Sequence, residues 1–445
     1  MLALLLPLLL AAPAPAPVAA DPAPRLTTSE ARMAATVDAE YERSVALLER
    51  LVNQNSGTMN LPGVAKVGAM MTEQLRGLGF TVTWKPLPQT GRAGHVIAVH
   101  AGKGGTKRLL LIGHLDTVFE ADSPFQRFVR HGEEASGPGA GDDKGGMVVM
   151  LAALRAMQAA GTLKTANIEI VLTGDEEDSG DPVAIARADL IAAGKRADVA
   201  LDFEGLAVED GRDMGSIARR SVNDWTLAVT GKSGHSSRIF SEAFGDGAAN
   251  EAARILAAFR TQLPEPNLTF NTGLLAAGVT AAIDTGGSKA TAQGKSNIIP
   301  AQAIASGDFR TLSEEQTQRV RTKMTAIVAD HAPGTDATIT FKSGYPAMAP
   351  TAGNQALLAR LNGVNRDLGL AEMPALDPLK RGAGDISWVA ADVDGLVGLG
   401  TASRGDHTPD EVVDLASIRR QAKRAAILMS RLSAERRSAG SRAAH

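Results

Sequence analysis

The feature that most restricts the fold of this chain is the stretch LLIGHLDTV, residues 110–118. Its apolar beginning is typical of a strand buried in a core, and the strand ends in His114 and Asp116. Side chains two positions apart on a strand point to the same side. The stretch therefore predicts a buried strand that presents an imidazole and a carboxylate side by side where it ends.

Strand and helix patterns alternate along the first half of the chain. A capping box over Thr27–Glu30 marks the start of the first helix. Alternation of this kind predicts an α/β fold with a mostly parallel sheet. We predict strands near residues 80–86, 95–100, 108–113, 167–174 and 199–204, and helices near 27–54, 62–78, 144–160 and 183–194.

The pattern changes near residue 216 and returns to the α/β style after Pro333. With 445 residues, the chain exceeds the roughly 250–300 residues at which single cores stop growing. We therefore predict a domain made of residues 21–215 and 333–435, interrupted by an inserted α+β domain at 216–332 and followed by a polar tail at 436–445. In the insertion we predict strands near 225–231, 268–279 and 304–310 and helices near 246–262 and 313–330; the second part has a helix near 353–368, a strand at 395–400 and a helix at 415–434.

The first 20 residues have the pattern of a secretory signal peptide. An apolar run, Leu2–Ala12, precedes a small-residue site that ends at Ala20, where we expect cleavage. No Lys or Arg precedes the run, so an uncleaved anchor is the alternative, although the run is short for a membrane span of about 20 residues. We expect an exported protein, periplasmic or secreted, with no stable membrane association after the signal is removed.

Charge and composition limit the kinds of site that the chain can build. The net charge of −3 at pH 7 gives no electrostatic case for binding nucleic acid. There are no cysteines, so a metal would have to be bound by His, Asp and Glu side chains.

Four further motifs place carboxylates or an imidazole in loops or at strand ends. Each alone has a structural explanation, such as a helix N-cap or a turn. The glycine-rich loop lacks the spacing of a phosphate-binding loop, and its two carboxylates would repel phosphate. Together the motifs favour one metal site, because a carboxylate between two cations is common in dinuclear zinc centres. The motifs are GPGAGDDKGG (137–146), TGDEEDSG (173–180), VALDFE (199–204) and HTPDE (407–411).

In this order, HLDTV, GPGAGDDKGG, TGDEED, LDFEG, GKSGHSS, SNIIP and HTPDE resemble the M20-type zinc metallopeptidase family. That family includes the glutamate carboxypeptidases, the aminoacylases, and the succinyl-diaminopimelate and acetylornithine deacylases. The resemblance covers nearly all of the chain after the signal, and the GDDKGG and RGAGD (381–385) stretches bring it closest to the glutamate carboxypeptidases. It implies an α/β catalytic domain interrupted by a smaller α+β dimerisation domain, and a homodimer.

The resemblance also implies two zinc ions per chain. Asp142 would bridge them, and Asp116 would orient a ligand imidazole. Asp202 is an alternative to Glu204 as a ligand. The implied metal ligands are His114, Asp142, Glu177, Glu204 and His407.

By the same resemblance, Glu176 would be the general base and His235 would stabilise the oxyanion, often in the site of the neighbouring subunit. Arg310, in GDFR, would bind a substrate carboxylate, with Asn297 nearby. The expected reaction is hydrolysis of an amide bond next to a free carboxylate, in a peptide or an N-acyl amino acid.

Two other functions are alternatives. An aminopeptidase or N-acyl amino-acid deacylase of the same family would use the same chemistry, but an aminopeptidase needs an anion for the substrate amine, whereas Arg310 is a cation. A non-catalytic exported binding protein is disfavoured by the intact pair Glu176 and Glu177.

Overall fold

The computed structural model describes residues 26–437. The expected signal peptide, its cleavage site and residues 438–445 of the tail lie outside these residues. Within the described residues, no helix is both long and apolar enough to cross a membrane.

The larger sheet, here called the main sheet, has six strands and is mostly parallel, as predicted. Only Arg92–His100 runs antiparallel to its neighbours; the other pairings are parallel. In spatial order the strands are Thr81–Leu87, Arg92–His100, Asn167–Thr173, Arg108–His114, Val199–Asp202 and Gly395–Leu396.

The central strand Arg108–His114 is buried on both faces because helices cover both sides of the main sheet. Leu109 and Leu111 belong to one apolar core, and Leu110 and Ile112 belong to the core on the other face. The helices of this domain are Thr28–Ala39, Tyr41–Val52, Leu61–Gly77, Lys144–Ala159, Val183–Ala186, Ala188–Arg196, Ala352–Asp367 and Leu415–Ala434.

The single helix predicted over residues 27–54 is wrong, because the chain forms two helices that meet at Glu40. The capping box at Thr27 is confirmed. The apolar spacing continues across the break, and Val37 and Tyr41 are both buried. Because the buried residues of both helices follow one continuous apolar repeat, the repeat alone could not reveal the break.

A small four-stranded sheet connects two distant parts of the chain. Its strand Val412–Asp414 pairs with Glu134–Ser136, which comes directly before the glycine-rich loop. The strand predicted at 395–400 ends at Leu396, and the chain then enters this small sheet. Its strands are Val129–His131, Glu134–Ser136, Ser403–Arg404 and Val412–Asp414.

The inserted domain has its own sheet and its own core, as the α+β prediction requires. Helices Gly247–Gln262 and Glu314–Ala329 pack against this sheet around Trp225 and Phe309. Its strands are Asn223–Gly231, Thr269–Phe270, Leu274–Gly278, Gln302–Arg310 and Thr335–Ser343, and a hairpin of short strands lies at Thr280–Ile283 with Ala290–Gln293. A separate short hairpin, Val208–Glu209 with Arg212–Asp213, precedes the inserted domain.

Two predicted boundaries need correction. The strand Thr335–Ser343 pairs with Asn223–Gly231, so the inserted sheet extends beyond residue 332, and the Pro and Gly before this strand are a turn within the domain. The tail predicted from 436 begins in contact with the fold, because Arg437 forms an ion pair with Asp198 at 2.8 Å.

Candidate metal centre

The predicted metal ligands and the predicted base Glu176 meet at one edge of the main sheet. His114 ends the strand Arg108–His114, Glu176 and Glu177 follow Asn167–Thr173, and Glu204 follows Val199–Asp202. These strands are parallel, so their carboxyl ends lie at the same edge, where open α/β sheets place their sites. The small sheet adds Asp142 and His407 from its two adjoining loops.

The carboxylate of Asp142 lies between two imidazoles. Its Oδ1 is 2.9 Å from Nε2 of His114, and its Oδ2 is 3.1 Å from Nε2 of His407. Glu177 Oε2 lies 3.3 Å from the same His407 nitrogen. One carboxylate that faces two imidazoles through separate oxygens is the arrangement expected of a ligand shared by two cations.

Two groups of possible metal ligands share His114. The ligand atoms of His114, Asp142 and Glu177 lie within 4.8 Å of one another, as do those of His114, Glu176 and Glu204. Buried Oε1 of Glu177 has no hydrogen-bond partner among the described residues. The nitrogen and oxygen donors fit divalent transition-metal ions. Asp142 is the member that could serve two ions, because its second oxygen faces His407.

The geometry favours Glu204 over the alternative Asp202. The carboxylate of Glu204 belongs to the second ligand group, whereas Oδ1 of Asp202 accepts a hydrogen bond from the backbone N–H of Glu204 at 3.2 Å. Glu204 also forms an ion pair with Arg219, which leaves one carboxylate oxygen for another partner.

Asp116 is fully buried and supports both sides of the centre. Nδ1 of His114 lies 3.1 Å from the backbone carbonyl oxygen of Asp116 and 3.4 Å from its carboxylate, so Asp116 is placed to orient this imidazole. It also accepts the backbone N–H groups of Glu176 at 3.1 Å and Glu177 at 3.2 Å, and the hydroxyl of Thr58 at 2.7 Å. Asp116 therefore also fixes the acidic loop, a role that its sequence pattern did not predict.

Crowded carboxylates change the electrostatics of the centre. Burial, followed by the charge of Glu204, raises the pKa of Glu176 well above its ordinary value. Burial and the charge of Asp142 raise the pKa of Glu177 to about 8. Burial opposes the charge on His114, yet hydrogen bonds to Asp116 and Asp142 hold its pKa well above 6.5. Bound cations would relieve the repulsion among these carboxylates.

Glu411, the last residue of the HTPDE motif, was not predicted as a site residue. Its buried carboxylate accepts the backbone N–H groups of Gly139 at 3.1 Å, Gly141 at 2.8 Å and Asp142 at 3.3 Å. The glycines are required by close packing, because a Cβ on Gly141 would lie 2.3 Å from the Cβ of Ser403. Glu411 therefore holds the loop that presents Asp142, and its place in the motif was the only available signal.

Arg310 lies at the junction between the domains, against the loop of residues 381–385. A Cβ on Gly382 would be 3.7 Å from an Nη1 of Arg310, and Nε of Arg310 lies 3.2 Å from Asp308. The same loop accepts a hydrogen bond from Arg219 at the carbonyl of Ala383, at 3.1 Å. A Cβ on Gly384 of the same loop would lie 3.1 Å from Oε1 of Glu204, so this loop lies against both Arg310 and a predicted metal ligand.

His235 and Asn297 lie together in exposed loops of the inserted domain. Nδ1 of His235 is 2.8 Å from the hydroxyl of Ser237, and the carbonyl of Asn297 accepts the N–H of Ser236 at 2.9 Å. Within residues 26–437 of one chain, the hydrogen bonds of His235 do not involve the predicted metal ligands. Its expected role in a neighbouring subunit's site stays a prediction.

Known proteins resemble this chain over most of its length. The protein-family model for peptidase family M20/M25/M40 matches residues 110–431. Carboxypeptidase G2 of Pseudomonas sp. (strain RS-16) is 29% identical over 404 residues, 89% of this chain and 90% of that protein. Succinyl-diaminopimelate desuccinylase of Variovorax paradoxus (strain S110) is 26% identical over 403 residues, 84% of this chain and 94% of that protein.

A solved structure shares the fold. The YXEP protein of Bacillus subtilis, described as a dinuclear metal binding peptidase from the M20 family, superposes with a TM-score of 0.60 at 16% identity. The superposition covers 88% of this chain and 98% of that one. The predicted architecture of an α/β domain with an inserted α+β domain is therefore confirmed.

Proposed function

The chain belongs to peptidase family M20/M25/M40, a family of metal-dependent hydrolases, and we propose that it is a dinuclear zinc carboxypeptidase that cleaves an amide next to a free carboxylate. The observation that carries this proposal is the position of Asp142 between His114 and His407. Asp142 in that position can act as a ligand shared by two ions. Glu176, which lies beside the same His114 imidazole, can act as the base.

The donor atoms divide between two zinc positions. His114, Asp142 and Glu204 would hold one ion, and Asp142, Glu177 and His407 would hold the other. When bound, two zinc ions lower the pKa of a water molecule and polarise the carbonyl of the substrate.

The remaining residues move protons and bind the substrate. Glu176 takes a proton from the water and delivers it to the leaving amine. Arg310 binds the free carboxylate of the substrate, because a guanidinium matches a carboxylate in charge and geometry. His235 of a second copy of the chain stabilises the oxyanion of the tetrahedral intermediate.

Two relatives support different substrates. The similarity to carboxypeptidase G2 over most of both chains supports a peptide or N-acyl amino acid with a C-terminal carboxylate. The similarity to succinyl-diaminopimelate desuccinylase supports the second candidate, an N-acyl amino-acid deacylase. Arg310 suits either substrate and does not suit an aminopeptidase.

One experiment separates these functions. The purified chain is analysed for bound metal, and hydrolysis is measured for an acylated peptide ending in glutamate, the same peptide as its C-terminal amide, N-succinyl and N-acetyl amino acids, and a peptide with a free N-terminus. We expect about two zinc ions per chain and fastest hydrolysis of the free-carboxylate peptide, with activity lost to chelator and restored by zinc. A chain that binds zinc and hydrolyses none of them would contradict the proposal.

We also propose that the chain is exported and cleaved after Ala20. The small-residue pattern before Asp21 supports this position. N-terminal sequencing of the protein from its native host should find Asp21 first, and a retained Met1 would contradict cleavage and indicate an uncleaved anchor.

A further inference from the structure

Two chain segments that connect the domains run side by side and form a ladder of backbone hydrogen bonds. These segments, residues 219–222 and 344–348, are here called the connector. The N–H of Arg219 donates to the carbonyl of Met348 at 3.0 Å, and the N–H of Val222 donates to the carbonyl of Tyr345 at 2.9 Å. The inserted sheet begins at Asn223 and ends at Ser343, so the connector carries the only two crossings between this sheet and the main domain.

Tyr345 of the connector touches the acidic loop of the candidate centre. Its hydroxyl donates to the backbone carbonyl of Glu176 at 2.7 Å. The same hydroxyl accepts from Arg187 at 2.9 Å and from the hydroxyl of Ser179 at 3.3 Å. The ring packs against Trp388 with 5.5 Å between ring centroids.

Arg187 makes this contact rigid. It is fully buried and pairs with Asp175 at 2.5 Å and with Asp385 at 3.0 Å. Asp385 in turn accepts the hydroxyl of Thr173 at 2.5 Å. The network therefore fixes the residues before and after Glu176, because buried networks of hydrogen bonds and ion pairs make the segments that they join more rigid.

Both backbone polar groups of Glu176 are thus held, the N–H by Asp116 and the carbonyl by Tyr345. On the other connector segment, Arg219 forms an ion pair with Glu204. One segment of the connector therefore contacts Glu176 and the other contacts Glu204. The strands before these two residues flank the strand that ends in His114.

We propose that Tyr345 is a positioning residue for the general base Glu176, and that through it the connector ties the placement of the inserted domain to the geometry of the metal centre. The role given to Glu176 rests on the proposed function. The hydrogen bond between Tyr345 and the carbonyl of Glu176 is independent of that function.

The test compares Tyr345→Phe with Tyr41→Phe. The chain has two tyrosines, and the hydroxyl of Tyr41 also donates to a glutamate, Glu133, at 3.1 Å, outside the centre. We expect Tyr345→Phe to lower kcat by about 10- to 100-fold, the effect of a small misplacement of a catalytic group. KM and zinc content should stay within about twofold, because binding is not removed. Tyr41→Phe should leave kcat unchanged.

Two further readouts separate positioning from a general structural role. Amide hydrogen exchange over residues 174–180 should be faster in Tyr345→Phe and unchanged in Tyr41→Phe. In a Glu176→Gln background, loss of the Tyr345 hydroxyl should have no further effect on kcat, because the group it positions is already absent.

The proposal is overturned by an unchanged kcat, by a fall in kcat without faster exchange over residues 174–180, or by a loss of zinc that accounts for the lost activity. If the parent chain hydrolyses no substrate, the proposed function fails, and hydrogen exchange alone decides whether Tyr345 holds the loop.

Discussion

At the residue scale, Glu176 and Glu177 are adjacent in sequence but have different surroundings. The carboxylate of Glu177 approaches His407, whereas that of Glu176 groups with His114 and Glu204. Glu176→Gln should keep both zinc ions and lower kcat by about 10²–10⁴-fold, the scale of general acid–base catalysis. Glu177→Gln should lose about one zinc ion, because a neutral amide replaces an anionic ligand. Metal analysis and kinetics of both variants check this, and the reverse pattern would exchange the two roles.

Arg310 gives a second prediction at this scale. Arg310→Ala should raise KM for a substrate with a free C-terminal carboxylate by about 100-fold, a cost of roughly 3 kcal/mol for a charged hydrogen-bonded pair. KM for the corresponding C-terminal amide should change little. The matched control is Arg404→Ala, since Arg404 pairs with Glu134 on the surface. Equal effects on acid and amide would mean that Arg310 has a structural role.

The residues that could be predicted are those inside motifs that end strands. His114, Asp142, Glu177, Glu204 and His407 meet in the structure as the motifs suggested. Tyr345 and Arg187 could not be predicted, because their partners are distant in sequence and a lone tyrosine or arginine carries no pattern. Their importance depends on which backbone groups they reach, and only the folded chain shows that.

At the element scale, Asp213 anchors the last helix, Leu415–Ala434, to the rest of the main domain. Its carboxylate lies 2.5 Å from Arg424 and 2.8 Å from Arg420, and Arg424 is buried. Asp213→Asn should lower the free energy of unfolding by about 3 kcal/mol at pH 7, because it leaves a buried charge without its partner. Glu42→Gln, which removes an exposed surface pair with Arg130, should have a much smaller effect, because solvent screens the charges.

The difference between the Asp213→Asn variant and the parent depends on pH. Burial opposes ionisation of Asp213, but its hydrogen bonds to the arginines lower its pKa below 3.8. A carboxylate with a lowered pKa in the folded state stabilises above its unfolded value and loses this contribution as pH falls through the folded value. Denaturant melts should therefore show a full difference at pH 7 and a shrinking one below pH 3.8. A difference that stays constant would mean that the charge of Asp213 is not the cause.

Helices and strands were predicted correctly where a long hydrophobic repeat identified them. They were missed where a short pattern fitted either of the two domains. The helix Leu415–Ala434 has the predicted bounds, because its amphipathic repeat is long. The strand Thr335–Ser343 alternates buried or half-buried with exposed residues and follows a Pro-Gly turn, which made it look like the start of another domain. Only its pairing with Asn223–Gly231 assigns it.

At the scale of the whole molecule, the exposed position of His235 leads to a prediction about assembly. His235→Ala and Glu176→Gln should each be nearly inactive alone. If His235 acts in the partner's site, a mixed dimer contains one complete site, in which the His235→Ala chain supplies Glu176 and the Glu176→Gln chain supplies His235. Mixing the two variants after mild dissociation should therefore restore activity. Ultracentrifugation should show a dimer in both preparations. A mixture that stays inactive although mixed dimers form would mean that His235 does not act across subunits.

The small sheet that pairs Val412–Asp414 with Glu134–Ser136 has a consequence for the order of events during synthesis. His407 meets Asp142 across 265 positions of the chain, and Glu411 holds the Asp142 loop from the same late segment. Contacts between such distant residues form late, because closing a long loop lowers the entropy of the chain before any contact offsets that loss. A chain that is still on the ribosome therefore has only part of the predicted ligand set, and we expect complete metal loading only after the last part of the chain is released.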